Sequence, residues 1–178
     1  MGSLPATVKC GIGEVDVVAG PDLCGFRIGW EALGTVRGAD ATAAATFGLA
    51  KAPAWWVQRR GNVLVVLAAD HDALDTAPSS AVMATTTADG LYHVYENGGH
   101  ATARFYAPRL GVSEDPATGS AGAALANVHR HMGRTSGRLT IDQGDYVDAP
   151  SRIVITWTDD GVTVAGAVAL TSVVEVDV

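Results

Sequence analysis

Short apolar stretches alternate with breaks rich in glycine, proline and aspartate, and this pattern predicts a protein made mainly of β-strands. Arg60-Gly61 separates two such stretches and predicts a hairpin. The stretch from Val63 to Leu67 is apolar without alternation, so we expect that strand to be covered on both faces. Strands are predicted over residues 8–18 with a central bend, and over 24–30, 55–59, 62–68, 82–87, 91–96, 102–107, 139–143, 153–157, 162–170 and 173–178.

Helical signals occur in three segments. Asp40 can cap a helix over 41–49 that ends before Pro53, and residues 70–80 favour one or two short helical turns. The longest predicted helix covers 119–132. Small or apolar residues occupy all of its sides: Ala121, Gly122, Ala123, Ala124, Leu125, Ala126, Val128 and Met132. A helix that is apolar all round is buried, so we expect it either inside a wrapped sheet or packed between layers.

Composition narrows the class of protein. The 178 residues are 48% hydrophobic and 17% charged, with no repeat or linker, so we expect one globular domain over residues 1–178. The net charge of −7 argues against nucleic acid or an anionic membrane as partner, because both require a basic face. No apolar run approaches the ~20 residues of a membrane span, and the first residues lack the features of a signal peptide. We therefore expect a cytoplasmic protein.

Metal-ligating residues are not arranged for a metal site. Cys10 and Cys24 form no C-x-x-C motif. His129 and His131 are two positions apart on the predicted helix, so they lie on different faces. We therefore expect no metal site.

The strongest chemical signal is the segment from Glu114 to Ala121, with the sequence EDPATGSA, which leads directly into the longest helix. Pro116 biases Asp115 toward extended backbone and keeps this acid outside the helix. The first N–H groups of a helix lack internal partners and carry partial positive charge, so they can hold a carboxylate or a developing oxyanion. An acid beside an anion site suits proton transfer next to a carboxyl or carbonyl group. Asp115 and Thr118 can equally be helix caps and nothing more, and the spacing leaves this alternative open.

Other motifs accompany this segment in a fixed order. Arg104 to Pro108, with the sequence RFYAP, precedes it, Gly111 lies between, and Gln143-Gly144 follows. Together these motifs resemble the signature of the phenazine-biosynthesis isomerase family (PhzF-like), a relative of diaminopimelate epimerase. The combination is far more specific than a lone glycine motif.

The resemblance implies an α+β fold in which a mixed β-sheet is curled as a barrel around a central α-helix, here the helix over 119–132. Members of the family usually have two such domains, with the active site in the cleft between them. The stretch from Thr7 to Ala19 resembles the strands that open the second domain, so we expect this chain to correspond to that half. The first half is then expected to be absent, together with the glutamate that serves as the family's principal base and a Gly-His-Pro segment that faces it.

The resemblance also implies the chemistry, a cofactor-independent proton transfer within a small carboxylated molecule. Asp115 and Ser120 are the expected catalytic residues, with Asp115 moving the proton and Ser120 hydrogen-bonding the substrate. Thr118, Gly119, Ser120 and Ala121 are expected to bind the substrate, with the first backbone amides holding its carboxylate. We also expect Tyr146 near the rim of the cleft.

Three interpretations follow, in this order of preference. The first is an isomerase or epimerase component whose second wall comes from another copy in a homodimer or from a separately encoded N-terminal-half subunit. The second is a non-catalytic module that binds small molecules. The third is a structural or interaction domain in which Asp115 is only a cap.

Overall fold

Most of the chain forms one mixed β-sheet with a few helices. A computed structural model describes residues 7–10, 13–19, 23–49, 52–59 and 61–167. The strands are β1 (Thr7–Cys10), β2 (Gly13–Ala19), β3 (Cys24–Ile28), β4 (Thr35–Gly38), β5 (Ala54–Gln58), β6 (Asn62–Leu67), β7 (Gly90–Asn97), β8 (His100–Ala107), β9 (Val112–Asp115), β10 (Gly137–Gln143), β11 (Ser151–Thr158) and β12 (Gly161–Gly166). The α-helices are α1 (Ala41–Thr46), α2 (Ser80–Thr85) and α3 (Gly119–His131), and short 3-10 turns lie at Trp30–Ala32, Asp72–Asp75, Pro108–Leu110 and Asp145–Val147.

The strand order is β1-β2-β3-β12-β11-β10-β8-β7-β6-β5-β4, and β9 pairs with β8 outside this path. Neighbours are antiparallel except for the parallel pairs β6–β7 and β8–β10. These strands and the few helices confirm the α+β class and the mixed sheet. Among the described strands no pairing joins the end strands β1 and β4, so the expected closed barrel is not confirmed.

Helix α3 packs against strands from both halves of the sheet order, namely β4, β5 and β6 on one side and β11 and β12 on the other. The sheet therefore bends around α3. Every residue of the helix from Ala121 to His129 is buried, as the all-round apolar pattern predicts. A Cβ atom added to Gly122 would lie 3.1 Å from Ile155 Cγ2, so small residues set the close approach of helix and sheet.

Two hydrophobic clusters lie on the two faces of the sheet. The first combines α3 with residues of the face that it covers, including Val65, Tyr92, Ile141 and Ile155. The second packs α1 and α2 against the other face, where Met83 and Tyr106 are buried. The strand β6 contributes to both clusters, which confirms that its two faces are covered.

The C-terminal end of α3 is fixed by a polar cluster. The His129 ring is fully buried, with Nε2 2.8 Å from Glu96 Oε1 and Nδ1 3.1 Å from an Arg134 nitrogen. Trp157 stacks on this ring at 5.0 Å and donates from its indole nitrogen to the Arg134 carbonyl at 2.9 Å. This cluster holds one end of the helix and leaves its N-terminal end as the open one.

Several sequence predictions are wrong in detail. Residues 82–87 do not form a strand, because Ser79 accepts from the Val82 amide at 3.2 Å and begins α2 instead. The strands β4 and β9 were not predicted. The predicted strand over 173–178 and the end of the one over 162–170 lie outside the described residues.

Candidate functional site

The acid of the EDPATGSA segment sits in a tight turn between β9 and α3. Asp115 is half-buried at the last position of β9. Its Oδ1 accepts from the Ala117 amide at 3.2 Å, and its Oδ2 accepts from the Thr118 hydroxyl at 2.8 Å. Thr118 precedes the helix but its side chain caps no helix amide. The carboxylate is therefore held beside the helix N-terminus by its own turn.

Gln143 explains why the Gln-Gly motif belongs to this site although it lies on another strand. Its side chain is buried at 1% exposure, and Nε2 donates to the Asp115 carbonyl at 2.5 Å and to Thr118 Oγ1 at 3.0 Å. Because Thr118 Oγ1 accepts from Gln143, its own hydrogen is directed to the Asp115 carboxylate. Gly144 has a φ of 93°, and a Cβ atom there would lie 2.2 Å from the Ala149 carbonyl oxygen, so only glycine fits after Gln143.

Arg104 and Glu114 form the buried support beneath this turn. The guanidinium donates to both carboxylate oxygens of Glu114, at 2.9 and 2.7 Å, and to the Leu74 carbonyl at 2.8 Å. The rings of Tyr106 and Tyr146 lie 5.1 and 4.0 Å from the Arg104 Cζ atom. Glu114 immediately precedes Asp115, so this ion pair fixes the strand that presents the acid. Tyr146, expected near the cleft, stacks on Arg104 instead of lining the pocket described below.

A buried histidine lies beside Arg104 on the same face of the sheet. His93 pairs with Arg104 in the register of β7 and β8 and is only 1% exposed. Burial, with a further contribution from the Arg104 charge, lowers the pKa of His93 to about 4. The ring is therefore neutral near pH 7, and neither of its nitrogens has a hydrogen-bond partner among the described residues.

The N-terminus of α3 offers two amides. The Ala121 and Gly122 amides both donate to the Thr118 carbonyl at 3.1 Å, whereas no described residue accepts from the amides of Gly119 and Ser120. Ser120 is exposed, and the Ala121 side chain is buried in the core. Of the predicted substrate-binding group, Gly119 and Ser120 thus carry the amides that remain open.

Two open pockets meet at this helix end. Asp115, Thr118 and Ser120 line a pocket of about 380 Å³, which we call the β5–β6 pocket because Val57, Arg59 and Val63 also line it. Gly119 lines a different pocket of about 540 Å³, together with residues of β3, β11 and β12. The structure therefore brings three of the predicted site residues into one pocket and places Gly119 in the lining of the other.

Arg59 was not identified from the sequence. It lies beyond the end of β5 in the hairpin before β6, and its position in the pocket follows from how that hairpin packs on α3. An arginine beside a hairpin glycine carries no functional signal in a single sequence, because charged residues are common in exposed turns.

Within the described residues, no three side chains of the kinds that bind metals come together. None of the helices in the described part of the chain is long and apolar enough to cross a bilayer.

Comparison with known proteins gives consistent matches. The model of the PhzC-PhzF family, described as phenazine biosynthesis-like protein, matches residues 29–173. The fold is similar to a PhzF-family phenazine biosynthesis protein from Bacillus anthracis, with a TM-score of 0.69 and 15% identity over 90% of this chain and 64% of that one. A PhzF-family protein from Enterococcus faecalis gives 0.68 and 16% over 96% and 65%, and a predicted epimerase from Pseudomonas aeruginosa gives 0.62 and 22% over 86% and 59%. No curated protein matches the sequence.

The chain spans less than two thirds of the length of each of these solved structures. At these identities the structural likeness concerns the fold. The family match covers most of the chain, including the whole of the EDPATGSA segment and the Gln-Gly motif that supports it. On this ground the protein belongs to the phenazine biosynthesis-like PhzC-PhzF family.

Proposed function

We propose that the protein is a component of a cofactor-independent isomerase or epimerase of the cytoplasm that moves a proton within a small carboxylated metabolite. The observation that carries this proposal is the convergence of Asp115, Thr118 and Ser120 on one pocket at the open end of α3. In this proposal Asp115 transfers the proton and Ser120 hydrogen-bonds the substrate. The open amides of Gly119 and Ser120 hold the carboxylate, whose charge suits the helix N-terminus.

The local hydrogen bonds support a role for Asp115 as the proton carrier. Gln143 fixes the direction of the Thr118 hydroxyl, which holds one carboxylate oxygen, while the Ala117 amide holds the other. The carboxylate thus has one orientation before substrate arrives, and orientation contributes to catalysis because it removes the entropy cost of alignment. A positioned acid or base of this kind is worth about 10² to 10⁴ in rate.

The second wall of the site is part of the proposal. The chain is shorter than the solved relatives, and the pocket beside Asp115 is open to solvent. Proton transfer next to a carboxylate benefits from exclusion of water. We propose that a second copy of this chain, or a separate chain carrying the other half of the family fold, packs against the open side of the β5–β6 pocket and closes it.

A non-catalytic binding module is the second candidate. Both oxygens of Asp115 already accept hydrogen bonds within its own turn, which is the arrangement expected of a structural residue. In that case the amides still bind small carboxylates, but no proton moves.

Deuterium exchange tests the proposal without knowledge of the product. A mixture of small amino, hydroxy and cyclic unsaturated carboxylic acids is incubated with the protein in D₂O, alone and with candidate first-half subunits, and mass spectrometry detects any acid that gains deuterium. We expect exchange to be lost in Asp115→Asn, which keeps the turn's acceptor, and to persist in Asp160→Asn, an exposed acid in the β11–β12 turn.

Light scattering gives the molar mass of each preparation and identifies the species that exchanges. Absence of exchange in every assembly, with carboxylates still shifting the amide resonances of Gly119 and Ser120, would favour the binding module. Exchange that survives Asp115→Asn would assign the proton to another group.

A further inference from the structure

We propose that Arg59 is a specificity-determining residue of the β5–β6 pocket and that the preferred ligand is a small dianion: a carboxylate held at α3, a second anionic group held by Arg59, and an apolar body between them. The inference rests on the proposed function in two ways: it takes the α3 end as the site of the first carboxylate, and it takes the second wall as what closes the pocket. Nothing in the EDPATGSA segment itself requires a second charge.

The charged side chains that line the pocket differ in whether they already have hydrogen-bond or ion-pair partners. Asp89 accepts from the Asn62 amide at 2.8 Å and lies 4.0 Å from the Arg109 guanidinium. Asp115 is held by its turn. The Arg59 side chain, in contrast, has no hydrogen-bond or ion-pair partner among the described residues, and only its backbone amide is used, in closing the hairpin onto Gly61 at 3.0 Å. The pocket therefore presents one uncommitted cation.

The remaining wall of the pocket is apolar. It is formed by aliphatic and aromatic side chains from six elements: Val57, Val63, Phe105, Ala107, Leu110, Val112 and Ala124. Leu110 is 68% exposed and Val112 is 39% exposed, which is unusual for large apolar side chains and leaves surface for a ligand body or covering wall to bury. A ring or short hydrocarbon chain suits this surface.

Closure of the pocket favours ligands that place an anionic group at the Arg59 guanidinium. A charged group that loses water without gaining a partner costs free energy, and a carboxylate or phosphate can accept two parallel hydrogen bonds from one arginine. Once a second wall covers the pocket, a ligand with an anion at Arg59 offsets that cost and a ligand without one does not. Arg59 thus discriminates between mono- and dianionic acids of similar shape.

The global charge of the protein makes the test stringent. The net charge of −7 repels dianions more strongly than monoanions. A preference for the dianion must therefore come from a local cation and not from the general field.

Aromatic carboxylates of graded geometry serve as probes. Benzoate, phthalate, isophthalate and terephthalate are titrated at constant ionic strength, and dissociation constants are obtained from the amide resonances of Gly119 and Ser120. We expect at least one dicarboxylate to bind about tenfold more tightly than benzoate, the contribution typical of a hydrogen bond between charged groups. Arg59→Gln should bring the affinity for the dicarboxylate down to the affinity of the same variant for benzoate, and Arg59→Lys should retain part of the advantage.

Arg138→Gln is the matched control, because Arg138 is an exposed arginine on β10 outside the pocket, and it should retain the full advantage. Equal binding of benzoate and all three dicarboxylates by the wild type overturns the proposal, as does a dicarboxylate advantage that survives Arg59→Gln. Absence of dicarboxylate binding also overturns it. The outcome is separable from the proposed function, since loss of deuterium exchange in Asp115→Asn is measured independently of the dicarboxylate preference.

Discussion

Removal of Arg104 is expected to destabilise the protein severely, because this residue neutralises a buried carboxylate. Both side chains of the ion pair are almost fully buried, at 8% exposure for Arg104 and 9% for Glu114. Arg104→Met would leave Glu114 without a countercharge and the Leu74 carbonyl without its donor. Loss of one partner of a buried ion pair costs about 3–5 kcal/mol, a large share of the about 5–15 kcal/mol that stabilises a typical domain.

A double-mutant cycle measures how much of this cost belongs to the pair. The free energy of unfolding is determined in urea for the wild type, Arg104→Met, Glu114→Gln and the double variant. We expect the double variant to be more stable than the two single losses together predict, by about 1–3 kcal/mol, because neither charge remains alone. If Arg104→Met fails to fold, Arg104→Lys keeps the charge but loses the two-pronged geometry and supplies the cycle.

The pair between Arg152 and Asp142 is the control for this cycle. It has similar geometry, with nitrogen to oxygen distances of 2.7 and 3.2 Å, but its side chains are 67% and 36% exposed. Solvent screening limits such a pair to about 0.2–1 kcal/mol. Equal coupling energies for the two pairs, or a loss below about 1 kcal/mol in Arg104→Met, would refute the argument from burial.

Two further predictions concern neighbouring polar residues. Burial, and then the Arg104 charge, lowers the pKa of His93 from 6.5 to about 4, so the unfolded chain binds a proton that the folded chain excludes between these values. The stability contributed by the neutral ring is complete above pH 6.5, and the free energy of unfolding falls by about 3 kcal/mol as the pH drops to 4. Urea unfolding should show this pH dependence in the wild type and in His131→Gln, the exposed control. The His93→Leu variant should lack it. Gln143→Leu leaves the Asp115 carbonyl without its donor, so it should lower the free energy of unfolding by about 1–3 kcal/mol. It should also shift the amide resonances at the start of α3. Unchanged resonances would show that Gln143 does not position the turn.

The parts of the fold that could be predicted are those fixed by local pattern. The all-round apolar composition of α3 required burial, and alternating or continuous apolar runs located most strands. The EDPATGSA segment also indicated the turn and the helix start, because Pro116 and Gly119 act through their own backbone geometry. These features depend on residues that are close together in the chain.

The parts that could not be predicted depend on distant partners. The strand β9 contains Glu114 and Asp115, which disfavour strands, and it is held by Arg104 from ten residues earlier. The helix α2 contains the β-branched residues Val82 and Thr85 and is followed by two more threonines, so this stretch indicated a strand. The Ser79 cap and the burial of Met83 stabilise the helix instead. Arg59 becomes part of the pocket only when the β5–β6 hairpin packs near α3.

The close packing of α3 also means that substitutions are tolerated less well in this helix than in the exposed hairpin between β5 and β6. Ala123 and Ala126 are buried at 1% exposure or less, and Gly122 has no space for even a methyl group without movement of Ile155. Enlargement of any of these residues would shift the helix and, with it, the acid and the amides at its start. Arg59, by contrast, lies in an exposed hairpin and can be replaced without disturbing the core. New ligand preferences could therefore evolve by single substitutions at the rim, while the small residues of the helix keep the position of the chemistry constant.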